Sequence, residues 1–292
     1  MHTVISCPAC GENCSEVVAS LDAQRAARFA EFDRLKYGGL LSKWTDSVPP
    51  VVSRCRVCGH CWYQHQPEPE QLGHMYAVGR PLEDGASITR DPTTYMRKEM
   101  RRLRKLVGAS SYPLTMLDYG SGLGRWARAA VQEGFRVTAF EPSVERGAES
   151  DTPFRLVHSI DELDGETFAV IQIEQVLEHL PDPFATLSAL RKHCNPETVI
   201  RITVPNVLRD PDGAQVWETW PFNGKSPHLL APFEHLHSFT PTSLDRILKR
   251  SGYKNINIGK EMRYSVSNRF RQLAGRLVPS LNSTCRYVNI VF

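Results

Sequence analysis

From residue 114 onward, short apolar runs alternate with stretches whose apolar positions recur at helical spacing. Residues 114–118, 135–140, 154–157, 168–173 and 198–204 read as strands, each a short apolar run bounded by glycine, proline or polar residues. Between them, residues 124–133, closed by Gly134, and residues 184–193 read as helices. Residues 243–251 form a further helix stopped by Gly252, residues 254–258 a sixth strand and residues 287–292 a seventh. Strands alternating with helices predict a mainly parallel sheet covered on both faces, an α/β domain.

Upstream the pattern changes. Residues 1–66 hold six of the eight cysteines, with a helical pattern over 21–41. Residues 67–111 read as a connector rich in turn residues (Pro67, Pro69, Gly73, Gly79, Pro81, Gly85) followed by a basic helix over 93–107. The predicted organisation is a metal-binding module with a helical insert at 1–66, the connector at 67–111 and the α/β domain at 112–292.

Composition changes this picture little. Hydrophobic residues make up 41% and charged residues 23%, as in ordinary soluble domains. No run approaches the roughly 18 apolar residues of a membrane span. The N-terminus lacks a basic segment followed by an apolar one, so a cytoplasmic protein is expected. In that reducing compartment, paired cysteines point to metal before disulfide. A net charge of +3 is too small to imply a nucleic-acid partner. The basic residues are clustered, with seven against two acids in residues 90–105 and nine against one in 249–292. The first cluster reads best as a solvated helix face. Together they keep an anionic acceptor in view.

The candidate chemistry begins at Asp118-Tyr119-Gly120-Ser121-Gly122-Leu123-Gly124, between the first strand and its helix. Glycine lets the backbone turn tightly and approach a ligand, and ligands of such sheets bind beyond the strand C-termini. Glu141 follows Gly120 by 21 residues at the end of the second strand, where a carboxylate can accept from two ribose hydroxyls. A dinucleotide site shares these features, but its fingerprint wants Gly or Ala where Arg125 stands. Asp118 would also repel a pyrophosphate, whereas it suits a ligand carrying an ammonium group. Cys7-Pro8-Ala9-Cys10-Gly11 and Cys55-Arg56-Val57-Cys58-Gly59 are paired C-x-x-C-G knuckles with the spacing of a structural four-thiolate zinc site, although 44 residues separate them. Cys14, His60 and Cys61 are alternative ligands with poorer spacing.

The segments 117–124, Phe140-Glu141-Pro142, 175–183 (QVLEHLPDP) and 234–240 (EHLHSFT) together resemble the class I S-adenosylmethionine (SAM)-dependent methyltransferases, in the broad group that includes the ubiquinone-pathway O-methyltransferases. The resemblance covers about residues 93–260. It implies a Rossmann-like seven-stranded sheet whose last strands form an antiparallel hairpin, with SAM as methyl donor and S-adenosylhomocysteine as product. On that basis Asp118, Tyr119, Gly120, Gly122 and Gly124 would hold the methionine part of SAM, and Glu141 with Pro142 the ribose. Ser159 and Ile160 would flank adenine, and Glu174 and Gln175 would line the donor pocket. Two positions depart from the family pattern. Ser159 stands where an acid is common. Gln175 replaces the first acid of the E-x-x-E-H through which some relatives bind a divalent ion, so a catalytic metal is not expected, and Glu178 reads as a helix-start acid. The N-terminal region resembles the zinc ribbons that precede some bacterial methyltransferases of sugars or natural products.

A hydroxyl acceptor needs a base, and histidine is the usual one near neutral pH. The candidates are His179 after the fourth strand and His228, His235 and His237 after the fifth. The expected reaction is O-methylation of a sugar, nucleotide sugar, polysaccharide precursor or other small molecule, as in surface-polysaccharide or natural-product assembly. An RNA methyltransferase, which a zinc ribbon also precedes in one rRNA-modifying family, and a SAM-binding protein without turnover are the alternatives.

Overall fold

Local sequence signals set the elements of the computed structural model, which describes residues 1–46, 48–79, 91–108, 114–144, 152–205, 220–223, 226–227, 230–255 and 283–290. The N-terminal part runs β1 (His2–Thr3), β2 (Ser15–Ser20), α1 (Ala23–Tyr37), α2 (Leu40–Thr45), β3 (Val51–Cys55), β4 (Cys61–Tyr63), β5 (His65–Gln66), α3 (Pro69–Val78) and α4 (Thr94–Val107). The single helix read over 21–41 is two. Gly38 and Gly39 adopt φ of +64° and +88°, which ends α1. The buried carboxylate of Asp33 then accepts from the amides of Leu41 (2.9 Å) and Ser42 (2.7 Å), satisfying the first donors of α2.

The α/β part follows as β6 (Thr115–Tyr119), α5 (Arg125–Gln132), β7 (Arg136–Phe140), β8 (Arg155–Val157), β9 (Val170–Glu174), α6 (Pro183–Leu190) and β10 (Val199–Pro205). It continues with β11 (Phe222–Asn223), β12 (Ser226–Pro227), β13 (His237–Ser238), α7 (Pro241–Arg250), β14 (Tyr253–Asn255) and β15 (Ser283–Ile290). Five strands pair in parallel in the order β8-β7-β6-β9-β10. Beyond β10, β15 pairs antiparallel and β14 pairs antiparallel with β15. The last strand begins at Ser283, four residues before the start read from its apolar run. The chain leaves β6 toward β7 and β8 and returns on the other side at β9. The C-terminal ends of β6 and β9 therefore flank the switch point at which α/β sheets bind ligands.

The N-terminal part does not close on itself. Its four-stranded sheet runs β13-β4-β3-β2, with Trp62 and Cys61 facing His237 and Ser238. Phe29, Phe32, Tyr63 and Met75 share a buried cluster with Trp220, Leu230, Phe233 and Leu236. The Tyr63 hydroxyl donates to the Leu230 carbonyl at 2.7 Å. The segment 230–238 is thus held between the two parts of the chain. Basic helix α4 turns Met100, Leu103 and Val107 inward. Arg101 bridges to the Glu133 carboxylate (2.7 Å), Arg104 donates to the Glu133 carbonyl (2.9 Å) and Arg102 pairs with Glu99 (2.5 Å), so these three cations serve the fold. Among the described residues, no helix is long and apolar enough to cross a membrane.

Candidate active site

The glycine loop leaves β6 by folding back on β7. The amides of Gly120 (2.8 Å) and Ser121 (2.9 Å) donate to the Phe140 carbonyl. Gly120, Gly122 and Gly124 have φ of +74°, +53° and +72°, where side chains are strained. Their surroundings differ. A Cβ on Gly120 would stand 2.6 Å from Val176 Cγ2, and one on Gly124 2.6 Å from Phe154 Cζ. A Cβ on Gly122 would meet nothing within 4 Å. Gly120 therefore serves close packing against the chain after β9, and Gly122 faces open space. Gly120→Ala is expected to destabilise the fold by about 2–4 kcal/mol, the sum of backbone strain and overpacking, read by chemical denaturation. Gly122→Asp, at an open position, should melt within a few degrees of the parent. Equal melting losses in both variants would contradict this assignment.

Carboxylates surround the loop. Glu141 accepts from the amides of Gly122 (2.8 Å) and Ser143 (3.1 Å), which fixes its side chain at the loop mouth. Asp118 is buried, its Oδ2 has no hydrogen-bond partner, and burial pushes its carboxyl up to about 7 despite the Ala127 amide. A buried acid with an unsatisfied oxygen fits a cationic ligand group. The two neighbours that the sequence grouped at the loop diverge. Strand alternation turns Tyr119 the other way, where its ring packs on Phe140 at 4.8 Å and its hydroxyl meets Thr186, so its side chain belongs to the core.

Other predicted contacts have different places. Ser159 caps the 3-10 turn Ile160–Leu163, its hydroxyl accepting from the Asp161 amide at 3.2 Å. Ile160 is partly buried against the core, and Pro142 is exposed beside Glu141. The carboxylate of Glu174 pairs with Arg201, which is fully buried, stacks on Trp126 (4.8 Å) and also reaches Glu99 (3.4 Å). Sequence reasoning missed Arg201, although a lone cation inside the apolar run of β10 signals a buried charge that must be paired.

After β9 the chain enters a strained turn. Gln175, a non-glycine residue, has φ +54° and precedes the 3-10 turn Leu177–His179. Across from it Phe233, with φ +59°, precedes Glu234 and His235. Each such residue costs about 1–3 kcal/mol, and such strain collects at functional sites. The two bends bring together Glu178, His179 and His235, whose ligating atoms lie within 4.8 Å of one another. The His179 and His235 rings meet edge to face at 4.6 Å. Glu178 is 1% exposed, neither of its carboxylate oxygens has a hydrogen-bond partner, and burial pushes it up to about 8. This is no solvated helix-start acid. The turn thus sets a buried acid beside two imidazoles.

The remaining histidines stand apart. His237 is fully buried in β13, its Nδ1 3.3 Å from His60 Nε2, and burial lowers it to about 4. It joins β13 to the N-terminal sheet and is shut off from an acceptor. His228 lies outside the described residues.

Residues 93–258 match a family model described as a methyltransferase domain, which is more than half of the 292-residue chain. The chain belongs to that methyltransferase family. It is a SAM-dependent methyltransferase. No curated protein matches it. Among solved structures, it is similar to the plantazolicin methyltransferase BpumL in complex with SAH, at 14% identity over 92% of this chain and 100% of that one, with a TM-score of 0.47. It is also similar to the 1,6-didemethyltoxoflavin-N1-methyltransferase of Burkholderia thailandensis, at 16% identity over 85% of this chain and 98% of that one, with a TM-score of 0.48. A SAM-dependent methyltransferase from Mesorhizobium loti aligns at 17% identity over 65% of this chain and 95% of that one, with a TM-score of 0.44.

Outside the methyltransferase match, four cysteines converge. Cys7 Sγ lies 3.6 Å from Cys58 Sγ and Cys10 Sγ 3.5 Å from Cys55 Sγ, with all four sulfurs within 4.8 Å. The two knuckles are built alike. The amides of Gly11 and Gly59, at φ +82° and +72°, donate to the carbonyls of Cys7 (2.8 Å) and Cys55 (2.9 Å). The sulfur–sulfur hydrogen bond between Cys7 and Cys58 lowers the Cys7 thiol to about 5 and raises Cys58. Cys14, exposed, and the buried Cys61 and His60 stand outside this cluster.

Proposed function

We propose that this methyltransferase transfers the methyl group of SAM to a hydroxyl of a small-molecule acceptor, a sugar or nucleotide sugar being the class best suited, with His179 as base and His235 beside it. The observation that carries this reading is that the turn bearing Glu178 and His179 begins at Val176, which packs on Gly120 of the glycine loop. Val176, three residues before His179, has its Cγ2 2.6 Å from where a Cβ on Gly120 would stand. A base on this turn is therefore close to the place where the donor would lie.

The fit of SAM rests on two features. Gly122 faces open space, and the unsatisfied Oδ2 of Asp118 calls for a cationic partner such as an amino-acid ammonium. Glu141 would accept the ribose hydroxyls, the turn at Ser159 and Ile160 would lie along the adenine, and Gln175 with the Arg201-held Glu174 would wall the donor side. When bound, SAM supplies a methyl group already activated on a sulfonium, so the protein's task is alignment and proton removal. His179 would take the hydroxyl proton as the acceptor oxygen attacks.

We assign the four cysteines a structural zinc. A tetrahedral thiolate site with metal–sulfur bonds of about 2.3 Å has sulfurs about 3.8 Å apart, near the 3.5 and 3.6 Å found for two of the pairs. No step of the reaction passes through it.

The test is methyl-labelled SAM incubated with the protein and fractionated host lysate. Label should enter a small-molecule or saccharide pool, and His179→Gln should slow its entry about 10²-fold without weakening SAM binding. Label in RNA would overturn the acceptor class. SAM binding with no label in any pool would overturn the enzymatic role of His179.

A further inference from the structure

We propose that Tyr76, carried by helix α3 of the N-terminal part, is a positioning residue for methyl transfer: with the carbonyl of Glu234 it fixes the tautomer of His179 and leaves Nε2 of that ring as the basic nitrogen. The inference rests on His179 being the base.

Hydrogen-bond chemistry places the proton. Nδ1 of His179 lies 2.6 Å from the Glu234 carbonyl oxygen. A carbonyl only accepts, so Nδ1 carries a hydrogen. The Tyr76 hydroxyl is 3.3 Å from that carbonyl and 3.2 Å from Nδ1. Its hydrogen therefore goes to the carbonyl, and its oxygen lone pair faces the Nδ1 hydrogen. A neutral imidazole protonated at Nδ1 holds its basic lone pair at Nε2. That atom is turned toward Glu178, 3.9 Å from Oε1. The ring plane is held on two sides, by the edge of Tyr76 at 6.2 Å and by His235 at 4.6 Å.

The surrounding titratable groups come from every packed element. Glu178 shares the turn of His179, with Glu174 acting on it from the end of β9. Glu234 and His235 come from the segment before β13. Lys36 and Tyr37 of α1 hold the Glu234 carboxylate, the latter at 3.0 Å. Burial alone would raise Glu234, but the charge of Lys36, with His235 and His179, keeps it low. The N-terminal part thus grips both ends of Glu234, its side chain through α1 and its carbonyl through α3.

In the transfer, the acceptor oxygen bonds to the methyl carbon as the carbon–sulfur bond breaks and its electron pair leaves with sulfur. The hydroxyl proton passes to Nε2 of His179. The resulting imidazolium keeps its Nδ1 hydrogen between the Glu234 carbonyl and the Tyr76 oxygen, both of which stabilise the cation. Without the Tyr76 oxygen the cation is less favoured, so the titration midpoint of His179 moves down.

Long-range proton–nitrogen NMR on histidine-labelled protein tests this without an acceptor, with His179→Gln giving the assignment. The parent should show His179 protonated at Nδ1 above its titration. Tyr76→Phe should lower its midpoint by about half a pH unit. In the labelling assay Tyr76→Phe should cut kcat about fivefold, leave KM for SAM unchanged and move the acid limb of the pH profile down. An Nε2-protonated His179 in the parent, or an unchanged titration in Tyr76→Phe, overturns the proposal. Absence of transfer by the parent would strike the base role of His179 instead, while the NMR result still decides the role of Tyr76.

Discussion

Replacing Cys55 by serine is expected to remove zinc from the protein and to loosen the acceptor side of the methyltransferase domain with it. Four sulfurs this close cannot all be anionic without a cation between them, and a structural zinc site supplies folding free energy outright. The knuckles are tied into the domain behind them. The Cys58 carbonyl accepts from the Thr240 hydroxyl at 2.8 Å, and Arg250 of α7 donates to the carbonyls of Pro8 and Ala9, both at 3.0 Å. Cys7, Cys55 and Cys58 share a buried cluster with Phe239, Leu244, Ile247 and Leu248. Loss of the metal should therefore release α7 and β13, and through β13 the segment that carries Glu234 and His235. A loss of about 3–5 kcal/mol would lower the melting temperature by about 10 °C in a domain of this size. Elemental analysis should find one zinc per chain in the parent and none in Cys55→Ser, and a strong chelator should reproduce the melting loss. Cys14→Ser, changed at an exposed residue outside the cluster, should match the parent in both. A parent that holds no zinc, or a Cys55→Ser protein with the parent's melting temperature, would sink the assignment.

How much of this was legible depends on how local the signal is. The glycine loop, Glu141 and the parallel strands are written in short windows, where turn residues and apolar runs report the backbone directly. The knuckles are equally local, because C-x-x-C-G encodes its own turn. What the sequence hid is contact across distance. β13 is two residues long and pairs with β4 across 175 positions, His237 facing Trp62, so no periodicity announces it. A boundary at residue 66 looked natural for that reason, yet the sheet crosses it. Tyr76 sat in a stretch read as connector, and nothing in its neighbours marks a residue that reaches His179. Tyr119 shows a different limit. Taking Asp118 and Tyr119 together as ligand contacts follows from family resemblance, but adjacent residues of a strand face opposite sides. Alternation alone would have separated them.

The second large effect should follow Arg201→Met. Arg201 is fully buried with Glu99 on one side, Glu174 on the other, and the Trp126 face 4.8 Å from its guanidinium carbon. Removing the cation leaves a buried and a partly buried carboxylate without it, Glu99 keeping its pair with Arg102. Breaking a buried pair in this way costs about 3–5 kcal/mol, chiefly because the orphaned charges keep their desolvation penalty. The pH dependence has a definite sign. Asp118 already sits at about 7, raised first by burial, and Arg201 is one of the groups that restrain it. A carboxyl raised in the folded state binds more protons there than in the unfolded chain, so the stability it leaves falls as pH rises toward its folded value. In Arg201→Met that value moves further up. The two proteins then differ little through Asp118 below about pH 6, where it is largely protonated in both, and the deficit widens as pH climbs past 7. Urea denaturation at pH 6 and pH 8 would read both parts of the effect, with Trp126 fluorescence as a local probe. A variant within 1 kcal/mol of the parent at both pH values would show that packing, not charge pairing, holds this layer together. Adding Glu99→Gln to Arg201→Met should recover part of the loss, since it removes one of the two carboxylates that Arg201 had neutralised. Because Glu174 stands at the end of β9, one strand from the glycine loop, the same substitution should also weaken SAM binding, as the role proposed for Glu174 on the donor side requires.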